Sequence, residues 1–257
     1  MNELHATKLD EVLMARAVLY GLLQRVFADV PDDVLAENES CEVMDQCFAV
    51  LGDAWGLEDG RTIRADGAFG NGADSSVPDA PDAAVDSTSG TTDIAVDSTS
   101  GTTSVSAAPA LTLEGEYNRL FVGVGKPAVC LWESIYETGV NALFQQNTLA
   151  VRAFYADWGF EARDKGRVAD DHVAIELAFL RELTLQAANG QGAERERLLE
   201  AQRCFLSDHL LRWSDAFAQQ VIDNDHTGYY AAYARLLADF VRRDETFLNE
   251  VLSGPVK

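Results

Sequence analysis

The chain has 257 residues, 47% of them hydrophobic, and a formal net charge of −22 from 42 acidic and 20 basic side chains. That length supports a real core in one or two domains. The charge excludes nucleic acid and anionic membrane surfaces as partners, because phosphate contacts require Lys and Arg.

In chain order, residues 8–29 place Leu9, Val12, Leu13, Ala17, Tyr20, Leu23, Val26 and Phe27 on one 3.6-residue stripe, which predicts a first helix. Pro31 in "VPDD" is expected to end it. The N-terminal stretch has charges throughout and does not read as a secretory signal, and no apolar run reaches the roughly 20 residues of a membrane span. A second helix is expected over 40–55. From 58 to 110 the composition shifts to Gly, Asp, Ser, Thr, Ala and Pro, and "AVDSTSGTT" occurs at 84–92 and again at 95–103. Residues 65–118 hold nine acids and no base. Such a stretch cannot bury enough apolar surface to offset its ordering entropy, so it is expected to be a flexible insert in a single domain spanning 1–257.

Beyond the insert, helices are expected over 112–122, 142–157, 170–188, 192–222 (one long or two abutting) and 227–251, with the loop "GVGKPAVC" after the first of these. No strand alternation of useful length occurs. The class is therefore all-α, a helical bundle. Cys41, Cys47, Cys130 and Cys204 form no C-x-x-C pair and have apolar neighbours, which fits reduced thiols and a cytoplasmic location.

The most pointed cluster is "RVADDHVAIELAFLREL" at 167–183. His172 and Glu176 are four residues apart and share a helix face. As a metal site this supplies at most two ligands. The chain's four histidines form neither H-E-x-x-H nor the paired Glu-x-x-His of di-iron bundles. No G-x-S-x-G elbow is present, and "GVGKPA" lacks P-loop spacing. No catalytic residue, metal or cofactor is expected. Asp170 or Asp171 suits a helix N-cap with His172 in the first turn near the surface. Residue chemistry alone leaves both readings open, a mere cap or a functional site. A second cluster, "EGEYNRLFVGVGKPAVCLWESIY", sets Glu116, Tyr117, Leu120 and Phe121 on one side of a helix. A Gly-rich loop then leads to Pro127, Trp132 and Glu133. Its ingredients are those of a peptide groove, with apolar walls and a carboxylate at the rim.

"EYNRLFVG", Pro127 with "WESIY", "DDHVAIELAFLREL", "HLLRWSDAF" and "YYAAYARLLADF" follow one another in an order that resembles the TorD/DmsD/NarJ family of cytoplasmic chaperones for molybdenum redox enzymes. The resemblance covers residues 112–245 well and 10–57 weakly. It implies an all-helical, non-enzymatic protein, monomeric or dimeric. Such a protein binds the twin-arginine signal peptide or the apo catalytic subunit of a DMSO-, TMAO- or nitrate-reductase-like enzyme. It delays export until folding and molybdopterin insertion are complete. The family's peptide-binding residues carry over to Asp171, His172, Leu120, Phe121, Pro127 and Tyr20; the proline that often precedes Asp-His is absent from "VADDH". A twin-arginine leader joins two guanidinium groups to an apolar segment. Asp170, Asp171, Glu116 and Glu133 are the expected carboxylate partners, and Leu120, Phe121 and Trp132 the expected apolar wall. The alternatives are a chaperone for a non-exported molybdoenzyme and a helical metal-dependent hydrolase centred on His172 and Glu176.

Overall fold

The structure, a computed structural model, describes residues 3–30, 42–55, 112–123, 126–162 and 166–254. The segment 58–110 with its tandem repeat, the expected stop at Pro31, and Cys41 lie outside them. Among the described residues the regular structure is helical, apart from an antiparallel bridge between Trp132 and His172 and a further bridge residue at Val168. The all-α class is as the periodicity indicates.

Helix α1 (Glu3–Ala28) is the central element. The sequence shows one apolar stripe, yet Ala15, Leu19 and Leu22 are buried along with Val12, Leu13, Ala17, Tyr20, Leu23, Val26 and Phe27. A helix enclosed by neighbours needs apolar or small residues on most of its sides. Its main neighbour is α6 (Val173–Asn189), and α2 (Glu42–Ala54) also packs on it. At Gly21 a Cβ would meet the Arg181 Nε at 3.0 Å, so the small residue permits the close approach to α6.

Helix α3 (Leu113–Tyr117) starts at an N-cap, where the Thr112 hydroxyl accepts from the Gly115 N–H at 3.0 Å. It runs into a π-helical turn, Asn118–Val122, which closes with the Gly123 N–H on the Asn118 carbonyl at 2.5 Å. Gly123 takes φ +66°, and a Cβ there would lie 3.0 Å from the Pro127 backbone, so glycine is required. Helix α4 (Glu133–Thr138) is short and lies where no helix was expected. Helix α5 (Gln146–Asp157) begins later than the expected 142, because Phe144 sits at φ +59° and breaks the run. The choice between one and two helices over 192–222 resolves as α7 (Gly192–Phe205) and α8 (Leu211–Asn224), joined by a π-helical turn at Leu206–Leu210. Helix α9 (Tyr229–Leu252) packs chiefly on α8.

One polar network crosses the core. The fully buried Arg16 of α1 ion-pairs with the fully buried Asp244 of α9, with one Nη2–Oδ2 contact of 2.8 Å. The same Nη2 donates to the Gln202 Oε1 at 2.8 Å, and Tyr20 donates its phenolic O–H to the Asp244 Oδ2 at 2.5 Å. Gln202 is also held by the Thr184 hydroxyl at 2.9 Å. Four helices are thereby tied through groups that cannot reach water. Removing one partner strands the other. Asp244→Ala is expected to destabilise by about 3–5 kcal/mol in urea unfolding, while Arg16→Met with Asp244→Leu recovers most of that loss.

Candidate functional site

The Asp171 carboxyl is fully buried and used twice. Its Oδ2 accepts from the Ser134 backbone N–H at 2.9 Å, satisfying an orphan donor in the first turn of α4, and its Oδ1 accepts from the Thr148 hydroxyl of α5 at 2.8 Å. Its backbone carbonyl accepts from the Glu133 N–H at 3.0 Å, and the Val173 N–H donates to Leu131 at 2.8 Å, which forms the Trp132–His172 bridge. The expected cap is corrected here: the N-cap of α6 is His172, whose Nδ1 accepts from the Ala174 N–H at 3.1 Å. His172 is also not a solvated side chain. It is 9% exposed, with the edge of Trp132 at 5.2 Å between ring centroids. Burial pushes its pKa down to about 4, against the opposing pull of Asp171, so the ring is neutral at pH 7, as an Nδ1 acceptor must be.

The other expected carboxylates also have partners within the fold. Asp170 pairs with Arg152 of α5 through Oδ2, at 2.6 Å to Nε, and its carbonyl accepts from the Tyr155 O–H. Glu116 accepts from the Arg119 Nε at 2.8 Å and from the His226 backbone N–H at 2.6 Å; the Arg119 guanidinium holds its carboxyl down to about 2. Glu133 faces the His209 Nδ1 at 3.1 Å. Behind it lies the fully buried Glu176, which accepts from the Trp213 indole N–H at 3.3 Å. Burial, with Glu133 and Asp171 close by, raises Glu176 well above the usual carboxylate range. Tyr20, Tyr117, Leu120 and Phe121 are core residues; Phe121 meets Tyr117 and Tyr230 edge-on, and Tyr117 lies tilted against Tyr230. Pro127 packs against Gly123.

Of the sequence-derived set, His172 lines an open groove. The groove has a volume of about 660 Å³ and lies between the C-terminal end of α1, the start of α6 and the segment after α5. Asp29, Glu161 and Glu182 supply carboxylates to it, Arg181 a guanidinium, and Phe160 and Ile175 apolar wall. Sequence reasoning missed these residues. The available signal was the spacing of Ala174, Ala178 and Glu182 on one side of α6, four residues apart each time, with small side chains where a core helix carries large ones. Among the described residues, no group of three or more His, Cys, Asp or Glu side chains could hold a metal ion, and no helix is long and apolar enough to cross a membrane.

A family model described as the nitrate reductase delta subunit matches residues 89–219, which is half of the chain. The chain belongs to this family. It is the TorD/NarJ group that the ordered motifs resemble. Similar proteins include the chaperone protein TorD of Photobacterium profundum, 32% identical over 139 residues, covering 54% of this chain and 64% of that protein. TorD of Vibrio cholerae is 30% identical over 143 residues, covering 55% and 64%. TorD of Aeromonas salmonicida is 37% identical over 82 residues, covering 32% and 38%. The chain thus spans less than two thirds of the length of these relatives.

The geometry separates structural from exposed roles. Asp171→Ala leaves the Ser134 N–H and the Thr148 hydroxyl unpaired and is expected to cost about 2–4 kcal/mol in chemical denaturation. Asp171→Asn keeps an acceptor for Ser134 and offers Thr148 a donor, so about 1 kcal/mol is expected. Two pH effects run in opposite directions. His172 is depressed from 6.5 to about 4, so its share of stability is complete above 6.5 and lost as pH falls toward 4. His172→Asn, a capping residue that does not titrate, is expected to flatten thermal stability across that window. Glu176 is raised, so its share is present below the unfolded carboxylate pKa of 4.5 and declines as pH rises above it. Glu176→Gln is expected to remove that decline, leaving the variant at least as stable as the parent at pH 8 in the same melts.

Proposed function

We propose that the protein is a maturation chaperone for a molybdenum redox enzyme and that the groove at His172 receives the arginine pair of the client's twin-arginine leader. Family membership and the similarity to proteins named chaperone protein TorD support the chaperone role. The observation that carries the site is the meeting of His172 with Asp29, Glu161 and Glu182 around one groove. Guanidinium groups pair best with carboxylates that offer two oxygens in a plane. The charge of −22 favours approach of a basic segment and speeds its encounter.

In this reading the buried acids shape the site from behind. Asp171 places His172 at the groove wall, and Asp170, Glu116 and Glu133 do not contact the ligand. The chain works by binding and release rather than by bond chemistry. A leader held here is withheld from the export machinery until the client is folded and loaded.

Calorimetry with a synthetic peptide bearing an Arg-Arg pair provides the check. Asp29→Asn with Glu182→Gln is expected to weaken binding about tenfold and to lower its salt dependence, and a Lys-Lys peptide is expected to bind more weakly than Arg-Arg. Equal affinity for parent and double variant, with both folded, would remove the groove from the reading.

A further inference from the structure

Six large apolar side chains stand out as exposed among the described residues, and four of them lie together in sequence: Val140 (54%), Leu143 (41%), Phe144 (50%) and Leu149 (49%). They occupy the α4–α5 connection and the first turn of α5. From Thr138 to Val151 the chain carries no Asp, Glu, Lys or Arg, although charged residues make up 24% of the whole. Large apolar groups gathered in an uncharged surface region mark interaction sites more often than solvated loops do.

The connection is also held in place. The Gln145 side-chain amide donates to the carbonyls of Val140 at 3.1 Å and Ala142 at 2.6 Å, and its oxygen accepts from the Thr138 hydroxyl at 2.9 Å. Phe144, at φ +59°, is the one non-glycine residue with positive φ among the described residues. A bulky aromatic in that conformation is strained, and such strain persists where the surroundings impose it. The flanking helices are both anchored by Asp171, through Ser134 and Thr148. The apolar side chains are therefore presented to solvent by a braced connection.

We propose that Val140, Leu143, Phe144 and Leu149 form the docking surface for the uncharged apolar segment that follows the arginine pair of the leader. This rests on the reading of the groove given above. The two surfaces divide polarity as such a leader does. Carboxylates gather at the groove beyond the C-terminal end of α5, and the apolar, charge-free stretch of chain lies at its N-terminal end, about 18 Å away along a helix of this length. A second copy of the chain is a poor occupant, because two chains of net charge −22 repel each other. An apolar segment joined to cations has the opposite electrostatic character and meets no charge on the patch itself.

The experiment uses the full chain and two synthetic peptides in calorimetry. One carries Arg-Arg followed by an uncharged Leu/Ala segment, and the other carries Arg-Arg followed by Gly and Ser. The variants are Phe144→Asn, which suits positive φ and relieves the strain, and Leu143→Ser with Leu149→Gln. Each is expected to weaken the first peptide about tenfold or more while leaving the second unchanged, with undiminished thermal stability for Phe144→Asn. Unchanged affinity of the variants for the Leu/Ala peptide overturns the docking surface alone, leaving the groove intact. Failure of the parent protein to bind either peptide overturns both. A homodimer in sedimentation that Phe144→Asn disperses, with peptide affinity unaltered, assigns the patch to self-association and overturns the proposal.

Discussion

The double use of the Asp171 carboxyl is the constraint on which the site depends. One oxygen holds the first turn of α4 and the other holds α5, while the adjoining carbonyl pairs with Glu133. A fully buried carboxyl group is tolerated only when its lone pairs are occupied, and here donors from two separate elements occupy them. Because Asp171 is fixed, His172 follows at a set position, with its ring used as the cap of α6 and its edge against Trp132. The groove wall, the braced connection after α4 and the start of α6 all derive their placement from one side chain.

Around that residue the interior is unusually acidic. Glu133 and Glu176 lie within the same cluster as Asp171, and His209, Trp213 and Ser134 provide donors to it. Burial makes a second or third ionised carboxylate expensive, so Glu176 holds its proton more tightly than an ordinary carboxyl group does. Acids enclosed in this way do not contribute to the field at the surface as exposed ones do. The carboxylates that line the groove, Asp29, Glu161 and Glu182, are a separate set contributed by the residue just after α1, the segment after α5 and α6.

What the sequence disclosed follows from the range of the interactions involved. Helical periodicity is local, and so the class and most helices could be read directly. The motif order also pointed to the family. The short α4 could not be read, because its start is satisfied by Asp171, 37 positions further along the chain. The reading of Glu116, Glu133 and Asp170 as surface partners met the same limit. Glu133 and Asp170 find His209 and Arg152 in other elements, so a free carboxylate and an occupied one look alike in sequence, and Glu116 adds the distant His226 N–H to its near neighbour Arg119. His172 was recognised as a special position, but its depth was not, since burial depends on Trp132 and on elements distant in the chain. The apolar stripe of α1 underestimated its enclosure for a related reason: Ala15 and Gly21 look neutral until the neighbours they admit are present.

The Arg16–Asp244 pair also bears on how the protein is made. The partners are 228 positions apart, one in α1 and the other in α9. During translation Arg16 is made long before its counter-ion, which is added only within α9. Until then the central helix carries a cation that its own core cannot accept, so the nascent chain cannot close around α1. Closure of this core therefore waits for α9, and a chain that lacks Asp244 leaves the Arg16 guanidinium without its counter-ion.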